Sequence, residues 1–385
     1  ASNQFSITRQ QTFSVQNPGL EIDMVLYVNG LPIFTFELKN PWTNQTAKYD
    51  GQKQYKSYER NPKEPLLNYG RCLAHFTLDK DEVFFTTKLN LDKTFFMPFN
   101  KGLANGQGAG NPVNPNGYKT AYLWEEVLQK ETVSDIIMNY VLFDYDEAKT
   151  QKKVPHIMKN AKKLVFPRFH QLRAVRKMRK LAATEGPGHN YLIQHSAGSG
   201  KTKSMAWLAH QLANMTNADN TALFDSIIMV TDRIVLNRNM ADDVVNFQTV
   251  AGTVKDIRHG SKNLATALNE GNRIIISTVQ KFAYALKDIK RDTQRKYAII
   301  VDEAHTAIGN EAAKDLVNAL STDEDLQNIP DFNVNDYEDQ VDAILAYMQV
   351  MRRMMNHISY FAFTATPKDK TYALFGVQEG PDKGK

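Results

Sequence analysis

Beyond residue 190 the chain repeats one pattern: a short, almost wholly apolar run, then a helical or turn-forming stretch. The runs are YLIQ (191–194), IIMVT (227–231), RIIISTV (273–279), YAIIVDE (297–303) and YFAFTAT (360–366). Runs of this length without polar alternation predict strands buried on both faces, and their alternation with helical sequence predicts a mainly parallel sheet wrapped by helices. The first hundred residues keep a different rhythm. In GLEIDMVLYVNGLPIFTFELKNP two strand-like segments flank Asn29-Gly30, a pair suited to a hairpin turn. Trp124 to Phe143 reads as an amphipathic segment, and the spacing of Val341, Ile344, Leu345 and Met348 predicts a helix.

Composition marks the joints between these regions. With 385 residues the chain exceeds one compact core, so two or three domains are expected. Residues 102–117, GLANGQGAGNPVNPNG, hold five Gly, two Pro and four Asn, the composition of a mobile loop. Residues 149–180 carry twelve Lys or Arg and no Asp or Glu; with a net charge of +5, the rest of the chain is acidic, 35 basic against 42 acidic residues. That run suits a phosphate backbone and equally a solvated linker and helix face. Pro155 and Pro167 punctuate it like an interdomain connection, which places a boundary near residue 150. Residues 321–350 invert the charge, with eight Asp or Glu and no Lys or Arg, and are expected to stay away from DNA. Cys72 is the sole cysteine, which excludes an internal disulfide or a CxxC zinc site and points to a reducing compartment. No apolar run of about 18 residues and no signal-like leader occurs, so neither a membrane partner nor export is expected, and the expected location is the cytoplasm.

Residues 191–205, YLIQHSAGSGKTKSM, order a strand, a small Gly-rich turn and a helix. Phosphate binding needs that order. Gly198, Ser199 and Gly200 let backbone amides close around an anion at a helix N-terminus, Lys201 reaches terminal phosphates, and Thr202 is placed to ligate Mg²⁺. The strict pattern GxxxxGK[ST] fails at its first position, which is His195. In YAIIVDEAH a buried-type strand ends in Asp302 and Glu303, so both acids emerge at the sheet edge where phosphates would sit. Asp302 is expected to hold the metal through water, and Glu303 to orient the attacking water. ATP and Mg²⁺ are the expected ligands.

In the N-terminal region Asp23 is followed after thirteen residues by Glu37-Leu38-Lys39. Two carboxylates and a lysine on paired strands make a candidate metal site, provided that they share a face. A two-residue Asn-Gly turn pairs Val28 with Leu31 and throws Glu37 and Lys39 opposite to Asp23. A three-residue loop with Gly30 left-handed in a bulge pairs Tyr27 with Leu31 instead and puts Asp23 diagonally across from Glu37. The second register also sorts Met24, Leu26, Phe34, Phe36 and Leu38 onto one core face, and it is the one expected. Asp23 and Glu37 would then hold Mg²⁺, with Glu21 a further ligand, and Lys39 would orient or deprotonate a water for attack on a phosphodiester.

The segments HSAGSGKTKSM, VDEAH, TDRIVL (231–236), STVQKF (277–282) and FTATP (363–367) together resemble superfamily 2 helicase motors. That resemblance implies a RecA-like lobe and makes Gln171, in FPRFHQ, the adenine-reading glutamine. Over essentially the whole chain, DMVLYVNGLPIFTFELKNP, FMPFNKG, GNPVNPNGYKTAYLWEEVL, FPRFHQLRAV and FTATPKDKTYALFG resemble the R subunit of type I restriction enzymes. The resemblance implies an α/β architecture: a PD-(D/E)xK nuclease-like domain over 1–150, a basic linker over 151–168, and a first RecA-like, ATP-binding motor lobe over 169–385. It also implies a glutamine–tyrosine motif, met here by Gln54 and Tyr58, which would share one face of a helix through residues 47–59. The implied partners are double-stranded DNA and the methyltransferase and specificity subunits. Asn237 and Asn239 stand where that family commonly has Asp and Gln. The family's further N-terminal sequence, second motor lobe and C-terminal region find no counterpart, so this piece is expected to bind ATP weakly and hydrolyse little. A helicase or translocase with a non-catalytic N-terminal domain, and an inactive DNA-docking module, are the competing readings.

Overall fold

A computed structural model describes residues 2–103, 108–145, 161–196, 198–231, 244–245, 247, 253–257, 261–278, 281, 295–302 and 356–365. The chain forms two compact units, residues 1–172 and 173–385.

The first unit is built on a six-stranded sheet in the order β1 (Phe5–Thr12), β2 (Glu21–Val28), β3 (Leu31–Leu38), β4 (Ala74–Leu78), β5 (Val83–Thr86), β6 (Met97–Pro98). All pairings are antiparallel except β3 with β4, which run parallel. A parallel pair needs a crossover, and residues 39–73 supply it. Along one face Phe36 pairs with Phe76 and Phe76 with Phe85, so three rings line up across adjacent strands. Phe34, Phe99 and Phe166 close over them with ring centroids 5.3–6.4 Å apart. Cross-strand aromatic ladders of this kind fix register as well as bury area.

The opposite face is covered by the crossover. A π-helical turn, Ala47–Gly51, runs into the short helix α1 (Gln52–Lys56). Ala47 and Tyr55 are buried there with Ile22, Val25, Phe84 and Leu89. Gly51 makes the close approach possible: a Cβ at that position would lie 1.7 Å from Thr77 Oγ1. The helix ends at Ser57, whose ψ of 159° is extended, and Tyr58–Arg60 form a separate 3₁₀ turn. The single helix expected through residue 59 is therefore broken.

Helix α2 (Lys130–Asn139) leads to β7 (Leu142–Tyr145), which pairs antiparallel with β8 (Ala161–Val165). Within the stretch read from sequence as a connection, Leu164, Val165 and Phe166 are thus buried in the first unit. Part of the Gly-rich loop is pinned too: buried Asn111 accepts from Lys101 N–H and donates to the Asp81 carbonyl and Asn100 Oδ1. Helix α3 (Phe169–Glu185) follows.

The second unit carries a six-stranded, wholly parallel sheet in the order β11 (Val254–Asp256), β12 (Ile274–Thr278), β10 (Ser226–Thr231), β13 (Tyr297–Asp302), β14 (Ile358–Thr364), β9 (Asn190–Gln194). Each apolar run identified in the sequence forms one of these strands, and the short β11 is an addition. Strands β10, β12 and β13 are buried along their whole length, as expected of a sheet with both faces covered. Helix α4 (Lys201–Ala213) and helix α5 (Ser261–Asn269) pack on it, α4 burying Met205, Trp207, Leu208 and Leu212. Among the described residues no helix is long and apolar enough to cross a membrane.

Candidate functional sites

The β2–β3 hairpin decides the first site. Its turn has two residues, Asn29 and Gly30, both with positive φ, and pairs Val28 with Leu31 and Tyr27 with Pro32. The three-residue loop expected from sequence does not form. One step further, Leu26 pairs with Phe34, so Ile33 is an extra residue on β3. The bulge lies directly beside Pro32, and sheets tolerate proline chiefly at edges and bulges. The bulge restores the face relation that the two-residue turn alone would destroy. Met24 pairs with Phe36, and the same register continued by one residue sets Asp23 opposite Glu37.

Asp23 and Glu37 therefore lie on the face covered by the crossover. Asp23 Oδ2 accepts the Leu38 N–H at 2.7 Å, tying the two strand ends together. Glu37 is fully buried; its Oε1 accepts from Arg60 Nε at 2.7 Å. Its Oε2 is buried with no hydrogen-bond partner, and Lys39 Nζ lies 3.9 Å away. Lys39 Nζ donates to Gln54 Oε1 on α1. Burial pushes the Glu37 carboxyl up to about 7 against the opposing pull of Arg60, and the Asp23 charge adds to the rise. Behind this group runs a buried chain, Tyr55 OH to Thr35 Oγ1 at 2.7 Å and Thr35 Oγ1 to His75 Nδ1 at 2.7 Å. Desolvation takes His75 down to about 3.

The pair fits a divalent cation in one specific sense. Each carboxylate has one oxygen engaged by the protein, and Glu37 keeps a buried, unsatisfied second oxygen. A hard cation completes its shell with water and phosphate oxygens around so few protein ligands. Glu21 is exposed on the flank of the pair, and no cluster of three or more His, Cys, Asp or Glu suited to a metal is found among the described residues. Of the glutamine–tyrosine pair, Gln54 reaches Lys39, whereas Tyr58 is 85% exposed beyond the break at Ser57. Sequence reading missed Arg60, Tyr55, Thr35 and His75, whose partners lie 20 to 40 positions away.

In the second unit the loop after β9 turns through Gly198 (φ 72°) and Gly200 (φ 84°), left-handed conformations that glycine adopts without penalty. Gly200 is the N-cap of α4, so Lys201 and Thr202 form the first turn of the helix, at the positive end of its dipole. Ser199 is buried between the two glycines. His195, in place of the first glycine of the strict pattern, is held by its N–H to the Thr364 carbonyl at 2.9 Å, its ring edge-on to Phe363. Asp302 ends β13 and pairs with Phe363 on β14, whose other neighbour is Ile193 on β9. The loop after β9 and Asp302 thus share one edge of the sheet, separated by a single strand. Partial burial lowers the Lys201 ammonium, while the Asp302 carboxylate works against that shift.

Gln171 lies near the start of α3, buried, its Oε1 accepting the Arg168 N–H at 2.9 Å. Thr231 and Thr278, at the ends of β10 and β12, are buried and pair with each other. Glu303, residues 232–236 and Thr366-Pro367 lie outside the described residues, as do residues 321–350 and the basic run before Ala161.

A parallel sheet with a glycine-bent phosphate loop and a strand-end aspartate defines a motor-type ATPase lobe. Residues 170–378, more than half of the chain, match the family described as SWI2/SNF2 ATPase, and the chain belongs to that family. Residues 1–94 match the family described as type I restriction enzyme R protein N terminus, a nuclease-like domain. It is 25% identical over 321 residues to the type I restriction enzyme HindI endonuclease subunit of Haemophilus influenzae, covering 79% of this chain and 28% of that one. Another relative, named for the type I restriction enzyme MjaVIIIP endonuclease subunit of Methanocaldococcus jannaschii, is 25% identical over 75% of this chain and 28% of its own length. The chain thus spans less than a third of these relatives. The helicase domain of Pyrococcus furiosus Hef overlaps 55% of this chain and 37% of that one at 16% identity, with a TM-score of 0.36. The strand order itself, and not that overlap, carries the fold assignment.

Proposed function

We propose that this chain supplies the nuclease and the first motor lobe of a type I restriction R subunit. On this reading residues 1–150 are the nuclease, 151–168 the connection and 169–385 the motor lobe. The nuclease would cleave DNA phosphodiesters with Mg²⁺, while the complete complex, with methyltransferase and specificity subunits, translocates double-stranded DNA at the expense of ATP in the cytoplasm. The single observation that supports it most is the buried, unsatisfied Glu37 Oε2, on one sheet face with Asp23 and 3.9 Å from Lys39.

Each side chain then has a role. Asp23 and Glu37 would hold Mg²⁺, which when bound supplies charge to stabilise the phosphorane-like transition state. Lys39, steadied by Gln54, would orient the attacking water by donating a hydrogen bond. Tyr58 would act from the rim, where it is exposed. In the motor lobe the loop Gly198–Thr202 would cradle the phosphates, Thr202 and Asp302 would hold the nucleotide's Mg²⁺, Gln171 would read adenine and Glu303 would orient water.

The test is Mg²⁺-dependent nicking of DNA by the complete subunit in its complex, wild type against Glu37→Ala. Cleavage should vanish while translocation continues. Equal cleavage would remove the nuclease role and leave a translocase with a structural N-terminal domain.

A further inference from the structure

Among the described residues, Arg60 is the cation that touches the Asp23–Glu37 pair with a short hydrogen bond, and nothing in its sequence context announces it. It closes the 3₁₀ turn after Ser57, its own N–H bonded back to the Ser57 carbonyl at 3.1 Å. The extended Ser57 turns the chain so that Arg60 enters the sheet face, where it is 3% exposed. Its Nε donates to Glu37 Oε1 at 2.7 Å, its terminal NH2 to the Glu21 carbonyl at 2.8 Å, and its guanidinium lies 5.0 Å from the centre of the Phe13 ring.

This is not the geometry of a purely structural ion pair. Arginine and a carboxylate bond best fork to fork, satisfying both oxygens. Here one arm of the fork is spent on a backbone carbonyl, and Glu37 Oε2 is left buried and without a hydrogen bond. A half-satisfied buried carboxylate is costly, and native proteins keep such groups where a further ligand uses them. Nor does Arg60 meet the substrate: buried, with two of its donors committed, it is not presented to a phosphate.

We infer that Arg60 is a positioning residue that divides the two oxygens of Glu37, engaging Oε1 and leaving Oε2 as the single donor presented to a divalent cation. The inference rests on the nuclease reading and deepens it. Lysine in this place would keep the charge but could not hold Oε1 and the Glu21 carbonyl at once in a rigid plane.

Titration of the nucleotide-free chain with Mn²⁺, followed by electron paramagnetic resonance, tests this without any cleavage assay. Arg60→Gln should weaken Mn²⁺ binding by about 10- to 100-fold, the usual effect of removing a group that orients a metal ligand. Arg60→Lys should lose less, and it decides the matter if the Gln variant does not fold. Wild-type affinity in a folded Arg60 variant overturns the inference, because a purely structural role would lower the unfolding midpoint alone. Tighter binding overturns it as well, since Arg60 would then be competing with the cation. Glu37→Gln separates the two readings. If it abolishes Mn²⁺ binding while the Arg60 variants bind normally, only the role of Arg60 falls; if it changes nothing, the nuclease reading falls and the inference with it.

Discussion

Both units place acidic groups beside a sheet, by opposite constructions. In the second unit Asp302 stands at a strand end, on the same sheet edge as a loop whose shape is set by two glycines within three residues. In the first unit the acids lie on a strand face, beneath a crossover that brings Arg60 onto Glu37, Gln54 onto Lys39 and Tyr55 onto Thr35. The edge arrangement draws on backbone and a helix start that are neighbours in the chain. The face site is closed over Glu37, and side chains from distant positions supply it. Single substitutions at the edge should therefore remove a ligand contact and spare the fold, whereas substitutions at the face should disturb fold and site together.

The largest effect is expected at the edge. Lys201→Ala should abolish binding of a fluorescent ATP analogue while leaving the thermal unfolding midpoint of the chain unmoved; retained affinity would displace the phosphate loop from its assigned place. At the face, Gly51→Ala should cost about 1–3 kcal/mol, the usual range for forcing an extra methyl into a filled space. Gly51 has helical dihedrals, so the loss is steric and not conformational. Adding Thr77→Ala, which deletes the colliding hydroxyl, should recover part of the stability. A double variant no more stable than Gly51→Ala alone would mean that the helix does not lie this close to β4.

An effect confined to acid pH comes from His75, buried under the same crossover. Its folded-state value is depressed from 6.5 to about 3 by desolvation. Below 6.5 the unfolded chain takes up a proton that the folded chain refuses, so stability should fall as pH drops through the window from 6.5 to 3. Above 6.5 this group has no effect. The slope it contributes is at most about 1.4 kcal/mol per pH unit. Denaturant midpoints of the wild type and His75→Gln should diverge only inside that window; parallel curves there would show that His75 takes up its proton normally. Smallest of all, Cys72 is buried with its thiol pushed up to about 12, so the native chain should resist alkylation until it unfolds. Rapid labelling at neutral pH would show that the face opens readily.

The same contrast explains what could be read in advance. The strand, turn and helix start of residues 190–213 were legible because all the contributors are neighbours in the chain. Five strands of the parallel sheet were legible because burial on both faces leaves an uninterrupted apolar run. In the first unit the division of β2 and β3 into a core face and a carboxylate face was also legible, from Met24, Leu26, Phe34 and Phe36 against Asp23 and Glu37. The mechanism producing it was not. A turn of two residues gives the wrong parity, and the Ile33 bulge corrects it; Pro32, inside a strand-like run, was the available signal. Tyr58 misled in the other direction, because its spacing from Gln54 suits a helix that Ser57 ends.

What the amino-acid order determined by itself was every feature carried by local stereochemistry: the glycine-bent loop, the periodicity that names strands and helices, and the sorting of apolar from charged side chains. Only the tertiary structure decided which distant groups meet. The choice of Arg60 as the partner of Glu37, of Gln54 as the partner of Lys39, and of Thr35 as the bridge between Tyr55 and His75 depends on how a crossover of some 35 residues lies across the sheet. That placement is settled by packing, by Gly51 against Thr77 and Tyr55 against its buried neighbours. Packing complementarity is a property of surfaces brought together, and it leaves no periodic trace in the chain.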